Sequence, residues 1–209
     1  MTIQLHKGDL PDDLVLTGDL AIDTEATGLK LGRDRLCVIQ LSTGDGDAHL
    51  VQFALGEYDA PNLKKLLNDD KTRKIFHFAR FDVAIIKRFL GIMVKNIYCT
   101  KIASKIARTY TEFHGLKDIC KELLNVQISK QQQSSYWGTE TLSKDQLTYA
   151  AGDVLYLHQL KAALDEMLAR EHRTELAEES FKMIELVVTL DLNGWDGAQL
   201  FAYKECPTR

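Results

Sequence analysis

The chain has 209 residues, 45% of them apolar, with three prolines and a formal net charge of −4. That length and apolar share suit one domain with a substantial core, or one domain with a helical extension. The acidic balance weighs against a broad surface that tracks long nucleic acid, so a nucleic-acid substrate would be short or neutralised by metal ions. The N-terminal MTIQLHKGDLPDDLVL lacks the charged start and apolar run of a signal peptide. No run of about 18 apolar residues occurs, so no membrane helix is expected. Cys37, Cys99, Cys120 and Cys206 form no CxxC pair and read as reduced thiols of a cytoplasmic protein.

In chain order, Leu20 to Glu25, Leu36 to Ser42 and Ala48 to Phe53 read as strands, the last two joined by the turn-rich TGDGD. Short loops between them predict an antiparallel meander. Pro61 to Leu67 reads as a short helix with proline near its start. Lys74 to Phe78 (KIFHF) reads as a strand. Phe81 to Leu90 is an amphipathic helix stopped by Gly91. A last short strand is expected over 92–98, then helices over Thr100 to Arg108 and Leu116 to Leu124. Ser143 and Gln146 have capping-box spacing and open a long helix to about residue 171. A final helix is expected over about 174–192. The order fits an α/β fold, a mixed five-stranded sheet flanked by helices with further helices at the C-terminal end.

Asp23 and Glu25 stand two apart on a strand, so alternation puts both on one face. They read either as solvated carboxylates of an edge strand or as metal ligands at a buried strand end. Tyr149 and Asp153 stand four apart on a helix and share a face. The small residues Ala150, Ala151 and Gly152 would let that helix approach another element closely. Asp82, at the start of a helix, favours the positive end of the helix dipole and by itself signals nothing more. Four carboxylates that gather repel one another unless divalent cations lie between them, which points to metal-assisted chemistry on a phosphate.

Taken together, DxE on a first strand, Asp at a mid-chain strand-to-helix junction and YxxxD on a late helix resemble the DEDD exonuclease superfamily. Tyr149, four before the last aspartate, matches its DEDDy branch; the other branch has histidine five before that aspartate, and here that position is Thr148. The match covers about residues 18–160 and implies a ribonuclease H-like fold. HGLKDICKELL and LSKDQLTYAAGDVLYL further resemble ribonuclease D. The short chain with its KQQQSSYWG segment is similar to the nano-RNase C family, which degrades dinucleotides. One departure is Tyr136 before Trp137, where ribonuclease D tends to carry an acidic residue.

The resemblance implies a 3′-5′ exoribonuclease using two divalent cations, Mg²⁺ or Mn²⁺. Asp23, Glu25 and Asp153 would hold one ion, and Asp23 and Asp82 the second. Tyr149 would position the attacking water. The preferred substrate would be very short RNA, linear dinucleotides such as pGpG included. A general ribonuclease D-like exonuclease acting on longer RNA or single-stranded DNA is the competing enzyme reading. A catalytically dead binding module is the competing non-enzyme reading, disfavoured because binding alone needs no clustered carboxylates. The substrate-binding candidates are Thr24, Gly28, Leu29, His77, Lys130 and Gln133. Leu29 reads as a wedge between bases or as a cover of the core. His77 and Lys130 read as substrate contacts or as structural and solvated side chains. Phe78 and Phe81 read as core in preference to base-stacking platforms, and His114 and His158 as structural. The resemblance also implies a homo-oligomeric ring, an octamer, and the apolar MIELVVTLDL (183–192) would serve both core and subunit interface. One exonuclease domain is expected, with a core over about 18–171 and a helical extension over about 172–209.

Overall fold

The computed structural model describes residues 2–129, 131–200 and 202. Six strands form one mixed sheet: β1 (Ile3–Lys7), β2 (Leu20–Ala26), β3 (Leu36–Ser42), β4 (Ala48–Gln52), β5 (Lys74–Phe76) and β6 (Ile97–Cys99), in the order β1-β4-β3-β2-β5-β6. β2, β3 and β4 make the expected antiparallel meander. β5 and β6 add in parallel on one side and β1 adds in parallel on the other. β3 and β4 are buried along their whole length, as strands covered on both faces must be.

The sixth strand is the difference from the expected five. IQLHK is short and mostly polar, so no apolar alternation marks it. It forms because β4 offers an edge, and the ladder is reinforced by Lys7 Nζ donating to Gln52 Oε1 at 2.6 Å and by His6 Nε2 lying 3.1 Å from His49 Nδ1. β5 ends at Phe76, earlier than expected, because the chain turns at His77 and Phe78 into a helix. The strand expected over 92–98 is the shorter β6, which starts at Ile97 and ends one residue beyond that range at Cys99.

The helices are α1 (Pro61–Asn68), α2 (Ala79–Leu90), α3 (Thr100–Ala107), α4 (Leu116–Leu124), α5 (Lys144–Leu155), α6 (Leu157–Arg170), α7 (Thr174–Leu192) and the short α8 (Gly197–Leu200). Gly91 closes α2 in the left-handed region, its N–H donating to the Lys87 carbonyl. The capping box at Ser143 and Gln146 is complete in both directions. The single long helix expected from there to residue 171 is two helices, interrupted at Tyr156. α5 lies across β2, β3 and β4, while α7 packs on α2 and β6. Arg80 of α2 and Asp191 of α7 form a two-pronged ion pair, both contacts 2.6 Å. Cys37, Cys99 and Cys120 are buried free thiols; Cys206 lies outside the described residues. Among the described residues no helix is long and apolar enough to cross a membrane.

Candidate active site

β5 pairs with β2 only at Leu20 and Ala21. Beyond Ala21 that edge of β2 is open, and there the acidic residues meet. Asp23 and Glu25 share one face of β2, the face that α5 covers. Ala150 and Ala151 are fully buried, so α5 comes close enough for Asp153 to join them. One carboxylate oxygen from each of Asp23, Glu25 and Asp153 lies within 4.8 Å of the others. Asp82 arrives from the first turn of α2. It is buried and accepts a hydrogen bond of 2.6 Å from the Thr24 hydroxyl, which alternation turns to the opposite side of β2 from Asp23.

The electrostatics are those of a cluster short of positive charge. Among the described residues none of the four carboxylates is ion-paired. Burial, then the charges of Asp82, Asp153 and Glu25, push Asp23 well above the usual carboxylate range. Burial and the neighbouring Asp153 and Asp82 raise Glu25 in the same way. Burial raises Asp82 and Asp153; the Thr24 hydroxyl opposes it at Asp82 and the Tyr149 hydroxyl at Asp153. Tyr149 is itself raised, first by burial and then by Asp153, so its phenol keeps its proton and serves poorly as a base. Gln40, opposite Asp23 in the β2–β3 register, is fully buried, and neither end of its amide has a hydrogen-bond partner among the described residues. Hard oxygen donors gathered with no lysine or arginine paired to them among the described residues are a donor set that fits Mg²⁺ or Mn²⁺.

A cavity of about 900 Å³ opens over the cluster. Leu29 and Gln133 stand on its wall, and Leu29 is 82% exposed, which excludes the core-covering reading. Gly28 also lines it, and its reason is local. A Cβ there would lie 2.8 Å from Cγ of Asp34, whose carboxylate accepts from the Lys30 N–H and holds the turn. His77 lines the cavity with Nδ1 2.9 Å from the Thr100 hydroxyl, which in turn donates to the Phe76 carbonyl. Lys130 lies outside the described residues. Trp137 is buried with its ring centroid 6.1 Å from that of Tyr149. His114 is buried against Ser104, and His158 lies within hydrogen-bond reach of the Asp19 carbonyl, as expected of structural histidines. Core placement holds for Phe81, which packs against the core, and fails for Phe78, which is 50% exposed on the cavity wall. The sequence reading also missed three cations on that wall, Arg80, Lys101 and Lys117. Arg80 sits within HFARFD, two before Asp82; nothing near Lys101 or Lys117 in the sequence signals the cavity.

A mixed sheet with carboxylates gathered at an open strand edge is the arrangement of one class of nucleases. The sequence pattern of the 3′-5′ exonuclease family matches residues 9–169, and the chain belongs to that family. Over 98% of its length it is similar to Brucella melitensis NrnC bound to pGG, at 53% identity and a TM-score of 0.94, and it covers the whole of that chain. B. melitensis NrnC with bound Mg²⁺ matches over the same shares at 52% identity and a TM-score of 0.93. Ribonuclease D of Gluconacetobacter diazotrophicus is 30% identical over 156 residues, 75% of this chain. The chain spans only 39% of that relative's length.

Proposed function

We propose that the protein is a divalent-metal-dependent 3′-5′ exoribonuclease of very short RNA, above all linear dinucleotides such as pGpG, releasing nucleoside 5′-monophosphates. The observation that carries this reading is the gathering of Asp23, Glu25 and Asp153 within 4.8 Å. The likeness of 98% of the chain to B. melitensis NrnC bound to pGG supports the substrate class. In this reading Asp23, Glu25 and Asp153 hold one Mg²⁺ or Mn²⁺, and Asp23 and Asp82 hold the second, Asp82 partly through water. Bound ions supply a water of lowered pKa and charge stabilisation at the leaving 3′ oxygen.

The chain's own residues then have distinct tasks. Thr24 orients Asp82. Tyr149, keeping its proton, orients the attacking water. Leu29 enters between the two bases, and Gly28 keeps the turn that presents it. His77, Gln133 and Lys130 contact the sugar and phosphate of the substrate. Lys101 and Lys117 offset phosphate charge that the carboxylates would otherwise repel. We further propose that residues 1–209 act as a single exonuclease domain, and that it works as a homo-oligomeric ring of eight. Leu176, Met183 and Leu186 expose apolar surface along α7 in support of the assembly. The three unpaired thiols among the described residues fit a cytoplasmic enzyme.

The test is a time course with Mg²⁺ or Mn²⁺ on 5′-labelled two-mer and seven-mer RNA. Rapid two-mer cleavage beside a nearly inert seven-mer is expected. Laddering of the seven-mer at a similar rate would replace the dinucleotide reading with a general exonuclease. The Asp82→Ala variant should keep the fold and lose turnover on the order of a hundredfold or more; near-native turnover would remove Asp82 from the site. Light scattering that returns the 23.7 kDa monomer would remove the ring.

A further inference from the structure

Phe78 combines features that the proposed chemistry does not use. Its backbone sits in the left-handed region, at φ 69 and ψ 47, where a bulky L residue is an outlier. If the chain needed only this turn between β5 and α2, glycine would adopt it without a clash. Gly91 does so at the other end of the same helix, at φ 73. Nor does core packing explain the ring, which stands half exposed on the cavity wall beside His77 and within four residues of Asp82. Lys101, on the same wall, places its ammonium 3.7 Å from the ring centroid. A cation at that distance holds an aromatic ring in place from one side. Strained residues cluster at functional sites, and this one is exposed and braced beside the acidic cluster.

We propose that Phe78, braced by Lys101, is a stacking platform for a nucleobase of the substrate. The proposal rests on the exonuclease reading and deepens it. Stacking is tolerant of sequence because every base has a π face. It therefore holds short substrates of any sequence, with purines bound more tightly than pyrimidines because they overlap the ring more fully. It also suits a substrate too short to bind through many phosphates.

The variants are Phe78→Gly, which removes the ring and relieves the backbone, and Phe78→Leu, which keeps bulk without a π face. The first readout is steady-state kinetics on dinucleotides. KM should rise on the order of tenfold in both variants, the loss of one stacked base, with little change in kcat. The second is the fluorescence of a dinucleotide containing 2-aminopurine, read in the Asp82→Ala background so that the probe is not consumed. The bound probe should be dimmer when Phe78 is present than in either variant, and this difference is the quench that Phe78 supplies. The third is thermal melting, where Phe78→Gly should melt no lower than the unaltered chain. A residue serving only the fold gives the reverse, a lower melting point with unchanged KM and quench, and would overturn the proposal. So would a changed oligomeric state of Phe78→Gly with quenching intact, since the ring would then face a second copy of the chain. Seven-mer laddering by the unaltered chain would displace the dinucleotide preference and leave the quench to decide the platform.

Discussion

The Thr24 hydroxyl lies 2.6 Å from Asp82, whose carboxylate is buried among three others. A hydrogen bond to a buried charge is worth about 1.5–3 kcal/mol, and this one favours the ionised form that metal binding needs. Thr24→Val keeps the shape and removes the donor. Asp82 should then hold its proton to higher pH, and the acid limb of kcat should move upward by about one pH unit. A pH–rate profile checks this, and an unmoved limb would make Thr24 merely a strand residue. At this scale the pairs Asp23–Glu25 and Tyr149–Asp153 were legible as shared faces, from spacings of two on a strand and four on a helix, and it was the resemblance of their order along the chain to a known family that singled them out. Phe78 was not legible. KIFHF reads as one strand, and only the turn after Phe76 takes its last two residues out of the ladder and leaves the ring in the cavity.

At the scale of elements, α5 carries both Tyr149 and Asp153, so its N-terminal closure bears on the site as well as on the fold. Ser143 accepts from the Gln146 N–H, and the Gln146 side chain accepts from the Ser143 N–H. Ser143→Ala should cost about 1 kcal/mol and lower the thermal midpoint by about 2–4 °C. Turnover should fall further than for a matched change on α1, which contributes nothing to the acidic cluster. Equal activity losses in both helices would detach the cap from the site. The capping box was readable because it is a local pattern of polar side chains. β1 was not, since IQLHK becomes a strand only when β4 presents its edge. The break at Tyr156 was hidden too: YAAGDVLYLHQL keeps helical periodicity across a residue that closes one helix and opens the next.

For the whole molecule, the acidic cluster ties stability to both pH and metal. Carboxyl groups titrate near pH 4 in an unfolded chain, but the fold raises Asp82 and Asp153 to about 7 and Glu25 to about 9. Between those limits the folded state holds more protons than the unfolded one, so stability falls as pH rises. The contribution is complete below about pH 4 and is lost as pH climbs through the raised values. Metal-free protein should therefore melt progressively lower from about pH 4 to about pH 9, most steeply below about pH 7. Mg²⁺ should reverse the trend and release protons on binding. At a hundredfold excess over its Kd, Mg²⁺ should add about 2.7 kcal/mol of stability, a rise of roughly 5–10 °C. Calorimetric melts with EDTA or Mg²⁺ decide it; midpoints that ignore both pH and Mg²⁺ would mean the carboxylates hold no ion.

The sequence by itself determined the acidic pattern, the meander, the position of most helices and hence the exonuclease family. The elements rest on local periodicities that a short window contains, and the family rests on the resemblance of the acidic motifs taken in their order along the chain. The tertiary structure alone decided the open edge of β2 beyond Ala21, the donation from Thr24 to Asp82, the cations on the cavity wall and the exposed ring of Phe78. Each depends on which elements become neighbours, and that is set by burying apolar faces far apart in the chain, which no window of the sequence contains.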